Sequence, residues 1–332
     1  MTHEGDAQVK SFLEVHGWAH SHSKILAADA SMRQYFRLEL RSKSAVLMDA
    51  RRSSQQETQR FCYIAEWLKN NGLKAPEIFA QNLRVGLLLL EDFGDDLFAY
   101  LMEHDPLQTR RLYKTSVDML IHLRCTPLPD WLSQPSSADL AEMISPFWES
   151  YADNAEFNMG VRRSISRTLQ KILTVLDNGP KVVALRDCHA ENLIQISGKS
   201  GLDAVGLLDF QDAFICHPAY DLVSLLQDAR RDVPPELEQA MLDYYLLLSQ
   251  EDPAGFLKAY RILGVQRNLR ILGIFSALAA QQGKKKYVHL QPRVCAYVRR
   301  NLVHPVFDGL RDDLEPLLNR PVDQNLQRGS HG

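Results

Sequence analysis

The sequence predicts an α+β protein of two lobes, a small β-rich lobe followed by a larger, mainly helical one. Between residues 25 and 90 the apolar residues fall in short runs of strand length broken by turn residues, whereas beyond residue 97 they fall at helical spacing. Between the two regimes lies an acidic, glycine-containing turn, Glu91-Asp92-Phe93-Gly94-Asp95-Asp96, which breaks an apolar strand before helical sequence begins. At 332 residues the chain is also too long for one small core. The expected boundaries are residues 1–92 for the first lobe, 93–316 for the second, and a loose polar tail over 317–332 whose last five residues read as disordered or as an expression remnant.

Taken in order, residues 6–16 carry Val9, Phe12, Leu13 and His16 at helical spacing. Strands are expected at Ile25-Leu26, at Tyr35-Phe36-Arg37-Leu38-Glu39-Leu40 and at Ala45-Val46-Leu47-Met48, with turns at Asp29-Ala30-Ser31 and Arg41-Ser42-Lys43-Ser44. A helix over 55–70 puts Phe61, Ile64, Ala65 and Leu68 on one face and stops at Asn71-Gly72. Strands over 78–82 and 86–90 complete the layout of a nucleotide-covering sheet. Leu112, Ser116, Met119, Leu120 and Leu123 form a helical stripe that Pro127 and Pro129 end. Further helices are expected over 139–151, 161–176, 236–248, 253–280 and 293–303, and the Lys284-Lys285-Lys286 run is expected in solvent.

With 45% hydrophobic and 24% charged residues the composition is that of an ordinary globular protein, and the net charge of -3 gives no reason to expect nonspecific nucleic-acid binding. The N-terminal stretch Met1 to Asp6 is polar with no apolar core behind it, and the apolar runs at 85–90 and 271–280 are too short or interrupted to span a bilayer. The cytoplasm is the expected address, without a membrane or nucleic-acid partner. Five scattered cysteines without a C-x2-C pair read as reduced and structural, including Cys188.

The chemistry concentrates in Ala184-Leu185-Arg186-Asp187-Cys188-His189-Ala190-Glu191-Asn192 and, after a polar turn, Leu207-Leu208-Asp209. Phosphoryl transfer from a nucleotide needs a base near the accepting hydroxyl and oxygen ligands for magnesium. Asp187 and Asn192 stand at the Asp-x4-Asn spacing of a kinase catalytic loop, and Asp209, 17 residues beyond Asn192, follows an apolar run as a metal-binding Asp would. Taken singly, each also reads as an ordinary turn residue, helix cap or strand-end carboxylate.

With these residues in place, the chain resembles the aminoglycoside phosphotransferase and choline kinase superfamily over most of its length. Within it, the chain is most similar to the anomeric amino-sugar kinases of cell-wall recycling, which phosphorylate N-acetylmuramate and N-acetylglucosamine at C1. Three strings carry the closer match: Asp29-Ala30-Ser31-Met32-Arg33-Gln34-Tyr35-Phe36-Arg37, Leu207-Leu208-Asp209-Phe210-Gln211-Asp212-Ala213, and Gly264-Val265-Gln266-Arg267-Asn268-Leu269-Arg270-Ile271-Leu272-Gly273-Ile274-Phe275.

The resemblance implies a two-lobed protein-kinase-like fold and an ATP-dependent, Mg2+-dependent phosphotransferase acting on a small amino sugar. It makes Asp187 the base and Asn192 and Asp209 the metal ligands, and it lays the Ser31 loop over the triphosphate. Glu91, Asp92 and Phe93 would hold the adenine through the backbone. Asp221 would tie down the catalytic loop, or cap the helix that begins near Pro218, and His189 would order the same loop.

Two positions depart from the superfamily pattern. Leu185 stands where a His often precedes the base, and Met48 stands where the third strand carries a phosphate-binding Lys. Arg33, Arg37, Arg51 and Arg52 are the candidate replacements, because a guanidinium takes phosphate oxygens in pairs, and Arg37 is the one expected to point inward. Asp212 is a candidate for the sugar or a second metal. Gln266 and Arg270, four residues apart on one helical face, are candidates for an acetamido group or a lactyl carboxylate.

Three alternatives stay open on the sequence. An aminoglycoside, choline or homoserine kinase would use the same catalytic set, with Asp139, Glu142, Glu149 and Asp153 available to a cationic acceptor. A nucleotide-binding regulatory protein would explain the missing Lys and His. A protein kinase is disfavoured because only about a dozen residues separate Asp209 from Asp221, too few for an activation segment.

Overall fold

The computed structural model describes residues 3–27, 33–152, 159–282 and 284–319. Ser31 with its loop, Asp153 and the tail beyond 319 lie outside these residues.

The chain divides into two compact units, Met1–Pro106 with Glu191–Asp212, and Leu107–Ala190 with Ala213–Gly332. The first holds helix α1 (His3–Val15), strands β1 (His22–Ala27), β2 (Gln34–Leu40) and β3 (Lys43–Asp49), helix α2 (Gln55–Asn70), strands β4 (Ile78–Asn82) and β5 (Leu87–Leu90), and helix α3 (Phe98–His104). The five strands form one antiparallel sheet in the order β1-β2-β3-β5-β4. Strand alternation sends Leu38, Ala45, Leu47, Leu87 and Leu89 to one face, where they pack with Phe12 and with Val9 and Leu13 of α1. Tyr35, Arg37, Val46 and Met48 therefore share the other face. Ser54 and Glu57 close a capping box at the start of α2, with Ser54 Oγ accepting from the Glu57 N–H at 3.1 Å and Glu57 accepting from the Ser54 N–H at 2.9 Å.

In the second unit, α4 (Thr109–Arg124), α5 (Ser137–Glu142) and α6 (Met159–Leu173) precede strand β6 (Val182–Ala184). The chain then enters the first unit to form the antiparallel pair β7 (Leu193–Gln195) and β8 (Val205–Leu207), and returns as β9 (Phe214–Cys216), which pairs with β6. Helices α7 (Ala219–Leu226), α8 (Pro235–Ser249), α9 (Pro253–Gln282), α10 (Lys286–Leu302) and α11 (Arg311–Leu318) follow. The architecture is the expected one, a small antiparallel sheet unit and a mostly helical unit.

Backbone hydrogen bonds decide the membership of the β7–β8 pair. Leu207 N–H donates to Lys74 O at 2.7 Å, and Gln195 N–H donates to Asp96 O at 2.8 Å. A contiguous boundary at residue 92 does not describe this packing: the first unit runs on through α3 and borrows residues 191–212.

Two helices differ from expectation at prolines. The helix expected over 139–151 ends at Glu142, four residues before Pro146, whose ring would clash with that carbonyl; the wide π-type turn Phe147–Tyr151 follows. Conversely, α10 begins seven residues earlier than expected and runs through Pro292.

Helix α9 is predominantly apolar, and over Pro253–Ala280 it is long and apolar enough to cross a membrane. Of its most apolar window, 72% is buried inside the protein. At Gly273 it meets the π-type turn so closely that an added Cβ would fall on the Pro146 carbonyl and the Phe147 nitrogen.

A Gly273→Ala variant sets a helix-propensity gain of at most ~1 kcal/mol against a backbone clash that no side-chain rotation relieves. The clash dominates, and we expect a net loss of ~1–3 kcal/mol, read as a lower urea midpoint.

Candidate active site

The sequence-predicted groups fall into two sets, one in each unit. In the second unit, β6 ends at Ala184 and the chain turns sharply: Arg186 adopts φ +76°, a left-handed conformation that strains a residue with a Cβ. Asp221, 2% exposed at the start of α7, holds that turn by accepting the N–H of Leu185 at 2.6 Å and of Arg186 at 3.0 Å. Burial pushes the Asp221 carboxyl up to about 7, against the pull of those two N–H groups and of the Arg267 charge.

Asp187 follows, with 33% of its side chain exposed. Its Oδ1 faces Arg267 Nη2 at 3.3 Å, and the same nitrogen donates to Ser224 Oγ at 2.7 Å. Arg267 is 4% exposed and lies over the Tyr220 ring at 5.7 Å. Desolvation would raise the Asp187 pKa, but positive charge led by Arg267, with Arg270 and Arg186 also contributing, holds it below the usual carboxylate value. The result is a carboxylate that stays ionised and remains reachable.

His189 lies behind this loop, 4% exposed, with its N–H donating to the Asp187 carbonyl at 3.0 Å. Arg230 Nη1 stands 3.1 Å from His189 Nε2. Since a guanidinium only donates, Nε2 accepts and the ring is neutral. Burial first, then the Arg230 charge, pushes its pKa down to about 3.

The first unit carries the oxygen donors. Asn192 and Asp209 sit at the ends of the β7–β8 pair, where Leu208 N–H donates to Asn192 O at 2.9 Å and so brings the two carrier segments side by side. Asp209 has φ +53°, a second left-handed residue with a Cβ, and its Oδ1 accepts from Gln211 Nε2 at 2.8 Å. Burial raises the Tyr35 hydroxyl pKa, with Asp209 raising it further and Arg33 opposing, so all three share one region of the unit. Asp212 is exposed.

The same unit orders residues 91–96. Glu91 donates its N–H to Glu77 O at 2.8 Å, and the Phe93 ring lies over β8. A Cβ at Gly206 would come within 2.7 Å of that ring and 2.6 Å of Ile194, so only glycine lets Phe93 settle there. Arg37, expected at the phosphates, has a different employment. Its Nε and Nη2 bind Asp92 at 2.7 and 2.9 Å, Nη1 binds both Asp95 oxygens at 2.7 and 2.8 Å, and Nη2 also donates to Gly94 O at 2.8 Å. All five N–H groups are thereby engaged, so Arg37 braces the 91–96 turn and has none left for a phosphate. Arg51 pairs with Asp49 at 2.6 Å, and Met48 is fully buried against Tyr35 and Leu88.

Gln266 also differs from expectation. It is wholly buried, and its Nε2 donates to Leu140 O at 2.8 Å, which fastens α9 to α5 and turns the amide away from any acceptor. Arg270, one turn beyond Arg267, stays half-buried. Among the expected acidic residues, Asp139, Glu142 and Glu149 are exposed, and Asp139 accepts from Ser136 in the cap of α5. Sequence reasoning placed Arg267 on a helix face without seeing its contact with Asp187. The available signal was a charge inside the apolar run of α9, since a buried arginine requires a partner.

The phosphotransferase enzyme family model matches residues 22–257. The chain is 33% identical to an N-acetylmuramate/N-acetylglucosamine kinase of Caulobacter vibrioides, over 94% of this chain and 96% of that one. It is 29% identical to a kinase of the same name from Pseudomonas putida, over 88% of each. Among solved structures, a choline kinase from Streptococcus pneumoniae superposes with TM-score 0.62 at 14% identity, covering 88% of this chain and 98% of that one.

Removing Arg267 as Arg267→Met leaves the Asp187 and Asp221 carboxylates without their cation, and we expect a loss of ~3–5 kcal/mol in urea unfolding. The depressed His189 pKa gives a stabilising contribution that is full above the unfolded value near 6.5 and lost as pH falls toward about 3. Asp221, being raised, acts with opposite sign between about 4 and 7, so the difference between wild type and His189→Gln is the quantity to follow. That stability difference is expected to shrink as pH drops below 6.5.

Proposed function

The chain belongs to the phosphotransferase enzyme family, and on that premise we propose that it is an ATP-dependent kinase whose acceptor is the anomeric hydroxyl of an amino sugar, N-acetylmuramate or N-acetylglucosamine. The overall likeness to kinases bearing those names supports the acceptor class. The observation that carries the reaction is the setting of Asp187: partly exposed, on a loop pinned by Asp221, and kept ionised by Arg267.

Asp187 receives the sugar hydroxyl, orients it for in-line attack on the γ-phosphate, and takes its proton as the new bond to phosphorus forms and the bond from the γ-phosphorus to the bridging oxygen breaks, releasing ADP. Its lowered pKa makes it a weak base. An anomeric hydroxyl is more acidic than an ordinary alcohol, so a weak base suffices. The surrounding arginines favour a neutral or anionic acceptor over an aminoglycoside or choline, whose positive charge would meet Arg186, Arg267 and Arg270.

Asn192 and Asp209 fit magnesium by donor chemistry: both offer oxygen, and their carrier strands lie side by side. When bound, the metal supplies charge neutralisation on the phosphates. Arg33 is the candidate for the missing strand lysine, because it and Asp209 both act electrostatically on the Tyr35 hydroxyl. Glu91 to Phe93 hold the adenine, with their turn braced by Arg37. Use of ATP and five free thiols accord with a cytoplasmic protein.

Phosphorus NMR of the protein with Mg-ATP and each sugar tests this reading. We expect a sugar 1-phosphate signal that chelation of the metal abolishes and that Asp187→Asn slows by roughly 100- to 10,000-fold. Phosphorylation at another hydroxyl, or of neither sugar, would overturn it.

A further inference from the structure

The buried amides of α9 use their nitrogens within the fold: Gln266 Nε2 donates to Leu140 O and Asn268 Nδ2 to Gln227 Oε1, each at 2.8 Å. Arg267 commits Nη2 to Ser224 and Asp187, yet its buried Nη1 has no hydrogen-bond partner among the described residues. The Tyr220 hydroxyl beneath it, on a fully buried side chain, likewise has none. Arg270 lies one turn further on the same face, half-buried, and makes no hydrogen bond or salt bridge with any described residue.

Unsatisfied buried donors are uncommon in folded proteins, because each costs about as much as a lost hydrogen bond. Two such donors, Arg267 Nη1 and the Tyr220 hydroxyl, lie next to the Arg267–Asp187 contact. Arg267 answers the Asp187 and Asp221 carboxyls, whereas Arg270 has no hydrogen bond or salt bridge with a described residue. Burial lowers the Arg270 pKa and the neighbouring Arg186 charge lowers it further, against the upward pull of Tyr220 and Asp187.

We propose that Arg270, with the spare N–H groups of Arg267, binds a carboxylate carried by the acceptor, so that this face of α9 selects a carboxylate-bearing amino sugar such as N-acetylmuramate over the neutral N-acetylglucosamine. The inference rests on the amino-sugar reading above and deepens it. A guanidinium fork pairs with the two oxygens of a carboxylate. The neutral sugar has no carboxylate for that fork, so Arg270 is a specificity-determining residue between the two acceptors.

The test compares kcat/KM for both sugars, at saturating Mg-ATP, in wild type, Arg270→Met and Arg270→Lys. Loss of one charge-assisted contact predicts that the ratio of kcat/KM for N-acetylmuramate to that for N-acetylglucosamine falls roughly 10- to 100-fold in Arg270→Met, concentrated in KM for N-acetylmuramate, any effect through Asp187 being common to both sugars. Arg270→Lys keeps the charge without the fork and restores part of the preference; it also serves should Arg270→Met fold poorly. An equal fall with both sugars, accompanied by a raised KM for ATP, would assign Arg270 to the transferred phosphate and overturn the inference, as would no change with either. Wild-type protein that phosphorylates neither sugar would bring down the amino-sugar reading and this inference with it, a pattern distinct from the other two.

Discussion

One buried guanidinium underlies the arrangement of the helical unit. Arg267 stands 4% exposed with its charge facing Asp187 and acting on Asp221. An isolated charge so placed would cost several kcal/mol in lost hydration, and an isolated carboxylate at Asp221 would cost as much again. Together they are tolerable, because Arg267 also binds Ser224 and Asp221 also takes two backbone N–H groups. Those two N–H groups belong to the residues that turn the chain before Asp187. The left-handed Arg186, a conformation worth ~1–3 kcal/mol of strain, persists because Asp221 over-determines it.

The sheet unit uses an arginine too, and the contrast is informative. Arg37 is saturated: every N–H meets an oxygen of the 91–96 turn. Its arm to Asp92 is buried and strong, whereas Asp95 is 79% exposed, so that arm is screened by water and contributes less. A saturated arginine is a structural brace. Arg267, with one nitrogen unmatched, and Arg270, with none matched, still have chemistry to offer a ligand. Hydrogen-bond accounting thus separates residues that composition and spacing treat as equivalent.

The same distinction explains what could be read from the sequence. The frame around Asp187, Asn192 and Asp209 was legible because it is local: short apolar strands and polar turns recur within 26 residues, from Ala184 to Asp209. The two-unit division and the α+β character were legible from the change of period near residue 91. Arg37 and Gln266 were misjudged because their partners lie 57 and 126 residues away, at Gly94 and Leu140, where no spacing rule reaches. Pro146 and Pro292 act differently: one follows the end of α5, the other sits inside α10. Propensity alone cannot tell those cases apart, since surrounding packing decides whether the lost N–H and the ring can be accommodated.

The discontinuous sheet unit bears on how the chain is made. Its last pair of strands, β7 and β8, is encoded after residues 107–190 of the other unit. During synthesis the sheet and α2 emerge first, yet the strands that carry Asn192 and Asp209 follow only after a delay on the order of 10 s at ordinary rates of synthesis. Through that interval Lys74 O lacks the N–H of Leu207, Asp96 O lacks that of Gln195, and Phe61 lacks the Phe210 ring that stacks on it at 4.9 Å. Until residue 212 is made, the N-terminal unit therefore lacks its last pair of strands and keeps an open aromatic seat at Phe61.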